Sequence, residues 1–228
     1  MALNKRTRWI IGAVLALVVL VIAGPYVYIH YIKEKAPPPL AQTAAKTGAT
    51  GSGAVATSID GTWHPTDASV VGYRVKETLF GQAAPAVGRT SKITGELVAV
   101  GTTITSASFT VDMASIASPE GQRDGQFRGR IMNVAQFPTA TFKLTAPIAL
   151  AAVPTETAST AKASGELTLH GVTNAVQMDL TVTRAGLTFA VGGALDIVFA
   201  DWKVANPSFG PAQTEDHGLL EWAIVFAK

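Results

Sequence analysis

The chain has 228 residues, is 48% hydrophobic and 15% charged, and carries a formal charge of +2. That length allows one domain plus an accessory segment, and the apolar fraction excludes a wholly disordered chain. The absence of cysteine excludes a disulfide scaffold, a thiolate zinc site, a cysteine nucleophile and a lipidated cysteine anchor.

Residues 1–8 are a short basic start with Lys5, Arg6 and Arg8. Residues 9–32 contain no Asp, Glu, Lys or Arg. A helix needs about 20 such residues to cross the hydrocarbon layer. Trp9, Tyr26, Tyr28 and Tyr31 lie near its two ends, where amphipathic rings favour the membrane interface. A cleaved signal peptide shares the basic start and apolar middle. The length of the run and the lack of a clear small-x-small cleavage site directly after it favour an uncleaved single-pass anchor. Lys33, Glu34 and Lys35 follow it with only one net positive charge. The positive-inside bias then predicts a cytoplasmic N-terminus and an extracytoplasmic C-terminal domain at the cell membrane.

Residues 33–58 turn to Ala, Pro, Thr, Gly and Ser and read as a linker, with Pro37, Pro38 and Pro39 as a short extended stem. Its stretch at 51–56, Gly-Ser-Gly-Ala-Val-Ala, superficially matches a dinucleotide fingerprint. It follows no predicted strand and opens no helical pattern, so it reads as linker. Residues 1–58 hold six Lys/Arg and one Glu; residues 59–228 hold twelve Lys/Arg and fifteen Asp/Glu. The domain at 59–228 is therefore net acidic without a basic cluster, which argues against nucleic-acid binding.

Period-2 alternation dominates that domain. Strands fit Val70 to Phe80 and Ser91 to Val100. Apolar rows follow at Phe109, Val111 and Met113; Phe142 and Leu144; Leu167 and Leu169; and Val176, Met178, Leu180 and Val182. The longest row runs from Leu187 through Phe189 and Val191 to Phe199, and the last holds Leu220, Trp222, Ile224 and Phe226. About eight strands, each with one apolar face and no long helices between them, predict an all-β antiparallel sheet wrapped around one interior. A closed barrel of that size just holds side chains or one small ligand. Between Pro119 and Asn133 the alternation stops. Ser118 is placed to cap a short helical insertion, with Phe127 and Ile131 four apart on one face.

No catalytic constellation emerges. His30, His64, His170 and His217 show no metal-ligand spacing, and the Glu215-Asp216-His217 run is too compact to converge on one ion. No Gly-x-Ser-x-Gly elbow is present. Neither a metal nor a cofactor is expected, and the protein does not read as an enzyme.

Three segments carry a resemblance. Arg123-Asp124-Gly-Gln-Phe127-Arg-Gly-Arg, Phe137-Pro138-Thr-Ala-Thr141-Phe142 and Gly165-Glu-Leu-Thr168-Leu-His170-Gly171-Val172-Thr173, in this order, resemble the YceI-like, lipocalin-like polyisoprenoid-binding family. Gly61-Thr62-Trp63 and Phe199-Ala-Asp201-Trp202 fit as well. The resemblance implies an extended eight-stranded lipocalin-like barrel with a helical insertion. It further implies an apolar tunnel for an isoprenoid lipid, a polyprenyl phosphate or isoprenoid quinone, and a binding rather than catalytic role. Strand parity then assigns Tyr73, Phe80, Phe109, Met113, Phe142, Met178 and Phe199 to the tunnel wall, Phe127 and Ile131 to a lid, and Arg123 to the mouth. The alternative is a cell-envelope interaction module with a solid barrel core.

Overall fold

The computed structural model describes residues 4–32, 36–40 and 58–228. The glycine-rich stretch at 51–56, the charges at 33–35 and most of the segment read as linker lie outside them.

Helix α1 (Lys5–Val27) begins where Asn4 caps it: the Asn4 side chain accepts from the backbone N–H of Arg6 and Thr7. Its 23 residues have a mean hydropathy of 2.6 in the most apolar stretch, none of which is buried. At 1.5 Å per residue it is about 35 Å long, enough to cross a hydrocarbon core. A wide π-type turn, Tyr28–Ile32, continues it.

The domain contains β1 (Gly61–Pro65), β2 (Val70–Val75), β3 (Glu77–Leu79), β4 (Gln82–Ala83), β5 (Ala86–Thr90), β6 (Ile93–Val100) and β7 (Thr103–Asp112). After a helical insertion come β8 (Thr139–Leu144), β9 (Ile148–Ala149), β10 (Ser159–Leu169), β11 (Val172–Ala185), β12 (Thr188–Val198), β13 (Ala212–Thr214) and β14 (His217–Ala227). All pairings are antiparallel.

Eight wall positions close into a barrel. β1 and β2 share one position, because both pair with β14, at His64↔Ala227 and at Val70↔Ala223. β5 and β6 share the next, pairing with β2 and β1 in turn. β7, β8, β10, β11, β12 and β14 complete the ring. A bulge puts Thr105 out of register between the Val98↔Ser106 and Ala99↔Ile104 pairs. It switches parity within β7, so Ile104 and then Ala107, Phe109 and Val111 all reach the interior.

The strand expected to run from Val70 to Phe80 is instead two strands. β2 ends at Val75, and β3 leaves the barrel to join β4 and β13 in a separate three-stranded sheet. The insertion is helix α2 (Gly121–Gln126) followed by a π-type turn, Phe127–Ile131. Ser118 does not cap it. Asp124 reaches back instead, accepting from the Ser118 N–H at 2.9 Å and its hydroxyl at 2.7 Å, which ties the loop entering the helix to the helix itself.

One end of the barrel is plugged. Trp63, Phe189 and Phe226 are each buried there, with Trp63 edge-on to Phe189 at 4.7 Å and Phe189 stacked on Phe226 at 4.9 Å. Trp63 Nε1 donates to the Ile59 carbonyl at 2.7 Å. Buried aromatics contribute large apolar area and favourable ring geometry together. A second buried cluster, with Met113, Ile116, Phe127, Met132, Phe199 and Trp202, forms under the insertion at the other end.

Part of the stretch read as a linker packs on the barrel. Leu40 is 2% exposed against Ala223 and Val70 on the outer wall. Arg74 donates to the Pro37 carbonyl at 2.7 Å, and Arg89 donates to that of Pro38.

Candidate functional site

A cavity of about 510 Å³ runs through the barrel between the two buried clusters, within the ordinary size range of small-molecule sites. Its wall is built by strand alternation. Leu220, Trp222, Ile224 and Phe226 face it from β14, Val71, Tyr73 and Val75 from β2, and Met178 and Leu180 from β11. Small residues keep it open: Ala107 and Ala163 line it, and Gly88 and Gly193 lie directly under the rings of Tyr73 and Trp222, where a Cβ would come within 2.4 Å and 2.3 Å. Side chains at those glycines would displace the rings that shape the wall.

Of the residues singled out from sequence, Tyr73, Phe109, Met113, Arg123, Phe127, Ile131, Phe142, Met178 and Phe199 line this cavity. Phe80 does not. It sits in the turn between β3 and β4 in left-handed backbone (φ 50°) and is 58% exposed. Period-2 parity holds only within an unbroken strand, and the break after Val75 removes Phe80 from the count. Leu187, placed first in the longest row, is likewise an exposed turn residue.

The plugged end is apolar, and polar groups gather at the opposite end. Glu77, Glu120, Gln122, Arg123 and Gln126 line it, together with Leu79, Phe209 and Pro211. Arg123 Nη2 meets Glu77 Oε1 at 3.4 Å, both half-buried or less exposed. Tyr73 stacks on Phe127 at 5.1 Å. Burial pushes the Tyr73 hydroxyl up to about 12, so it remains a neutral phenol inside the cavity at all ordinary pH. Glu77, Leu79, Trp222 and Phe209 were not singled out for the site. Trp222 was readable from the β14 row, whereas β3 and the 206–211 loop are too short for any periodic signal.

The segments with motif character meet just beside this end. His170 and Gly171 form the β10–β11 turn, both with positive φ. Phe137 packs edge-on to the His170 ring at 4.7 Å and covers Gly171 so closely that a Cβ would lie 2.4 Å away. His170 Nδ1 is 3.3 Å from the Trp202 carbonyl, and the Asn174 side chain donates to that of Asp201 at 3.0 Å. His170 is thus a structural tie. His217 contacts Asp216 at 2.8 Å and Glu215 at 3.2 Å as an exposed ion-pair cluster. Among the described residues, no group of three or more His, Asp or Glu is placed to hold a metal.

A YceI-like domain profile matches residues 64–226. The chain belongs to the YceI-like family. Its YceI-like barrel resembles the crystal structure of Burkholderia cenocepacia BcnA, with 22% identity and a TM-score of 0.57 over 71% of this chain and 98% of that one. It also resembles a polyisoprenoid binding domain from Saccharophagus degradans implicated in plant cell wall breakdown. There the identity is 16% and the TM-score 0.58, over 73% and 97% of the two chains. At these identities the likeness is one of fold. No curated protein matches the chain.

Proposed function

We propose that this YceI-like protein is a membrane-anchored, extracytoplasmic carrier that holds a polyisoprenoid lipid, a polyprenyl phosphate or isoprenoid quinone, in its barrel. The observation that carries the reading is the cavity: apolar along its length, plugged at one end and open among polar side chains at the other. A long apolar chain gains roughly 25 cal/mol for each Å² withdrawn from water and needs polar partners only at its head. The solved polyisoprenoid binding domain with the same fold supports the ligand class, and the unburied apolar α1 supports the anchor. Tyr73, Phe109, Met113, Phe127, Ile131, Phe142, Met178 and Phe199 would contact the chain, with Arg123 near its head. The role is binding rather than catalysis. A solid-core interaction module fits less well, because such a barrel would have no cavity of this size.

The test is solvent extraction and mass spectrometry of the full chain, taken from its membrane in a solubilising polymer. An isoprenoid lipid at near-stoichiometric amount is expected. Met178→Arg should abolish retention while leaving the circular dichroism spectrum unchanged. Phospholipid alone in the wild-type extract would overturn the reading.

A further inference from the structure

We propose that the open end of the barrel is a docking surface for the lipid bilayer, so that ligand passes from bilayer to cavity without crossing water. The inference rests on the anchor reading of α1. Tyr28, the first residue beyond α1, lines the same cavity as Phe127 and Ile131. A helix that spans a bilayer ends at its interface, so a side chain just beyond that end places the cavity mouth at the interface too.

The rim has the matching chemistry. Phe80 and Phe209 are 58% and 57% exposed, on turns that flank the three-stranded sheet of β3, β4 and β13. Phe80 N–H donates to the Pro211 carbonyl at 3.3 Å, and Phe209 bridges to Ala212, so one small platform presents both rings. Phe80 adopts left-handed backbone, which costs a bulky residue free energy and here places no apolar area in the core. Burial in the acyl–headgroup boundary gives those rings the apolar contact they lack in water.

Charge at the rim permits this docking. Arg128 and Arg130 are exposed on the turn after α2. Arg130 lies 6.0 Å over the Phe209 ring and donates to the Asn206 and Pro207 carbonyls, which braces the loop. The acidic groups lining the mouth are Glu77, paired with Arg123, and Glu120. With charge nearly balanced, apolar insertion rather than attraction to anionic lipid dominates.

The chain has no cysteine, so single labels are unambiguous. Phe80→Cys, Phe209→Cys, Val100→Cys and Leu187→Cys would each carry an environment-sensitive fluorophore, in the full chain reconstituted into phosphatidylcholine vesicles containing nitroxide-labelled lipid. Val100, the last residue of β6, and Leu187, in the β11–β12 turn, are both exposed at the plugged end. Quenching at least threefold stronger at positions 80 and 209 than at 100 and 187, with blue-shifted emission, is expected. Equal quenching and aqueous emission at all four positions would overturn the docking surface. Isoprenoid content measured on the same vesicles separates the two proposals. A buried rim with no isoprenoid keeps the docking surface and sinks the carrier reading; an aqueous rim with bound isoprenoid does the reverse.

Discussion

Glu221 is 2% exposed on the outside of the barrel wall, between Arg74 at 2.7 Å and Arg89 at 3.8 Å, beneath the segment at 36–40. Removing one member of a buried ion pair leaves charge without compensation, at a cost of about 3–5 kcal/mol. Glu221→Ala should lose that much stability, read as a lower urea midpoint with an unchanged slope, whereas Leu220→Met, an apolar swap on the neighbouring cavity-facing position, should cost under about 1.5 kcal/mol. An exposed residue gives a subtler effect. The hydrogen bond with Asp216, followed by the charges of Glu215 and Asp196, raises His217 above its ordinary 6.5. A raised folded value stabilises below the unfolded value and stops doing so as pH rises through the folded one. The Tm advantage of wild type over His217→Asn should therefore be full below about pH 6.5 and fade above it; an advantage growing with pH would refute the pairing. Sequence alternation placed six of its seven chosen side chains on the cavity wall, Phe80 being the exception; Arg123, Phe127 and Ile131 came from the insertion rather than from any strand row. Glu221 was not readable, because its burial depends on the distant Pro37–Leu40 chain lying over it.

The short elements are where sequence and structure part. β3, β4 and β13 have two or three residues each, too few to show a period, and together they hold the rim. The Phe137-Pro138, His170-Gly171 and Asp201-Trp202 segments, far apart in sequence, were legible as motifs, but nothing in their spacing says that they touch. They meet because the β7–β8 insertion, the β10–β11 turn and the turn after β12 all fall at one end of the meander. Gly171 is the tightest point of that junction, at φ 75° and under the Phe137 ring. A Cβ there adds backbone strain to a clash, so Gly171→Ala should lower stability by about 1–3 kcal/mol. Its thermal unfolding should show the loss, and a Tm equal to wild type would mean the junction yields without cost.

At the scale of the molecule, the eight-stranded antiparallel wall was legible from alternation, but alternation by itself does not show that the interior is hollow. An inward apolar row reads the same whether the opposite wall meets it or stands off. What separates the two is where small residues fall once the sheet has curled, as with Ala107 on β7 and Ala163 on β10, both facing the cavity. Enlarging a residue in a filled core costs typically 1–3 kcal/mol; enlarging one beside a void costs little. Ala107→Phe and Ala163→Phe should therefore each leave the unfolding free energy within about 1 kcal/mol of wild type. Each new ring would occupy volume at the plugged half of the cavity, where the far end of a bound chain would lie. The lipid extracted from these variants should shift toward shorter isoprenoid chains, with the double variant shifted furthest. A large loss of stability in both single variants would mean that the interior is packed at those positions. An unchanged chain-length distribution in well-folded variants would mean that the ligand does not reach past Phe109 and Phe142 toward the aromatic plug.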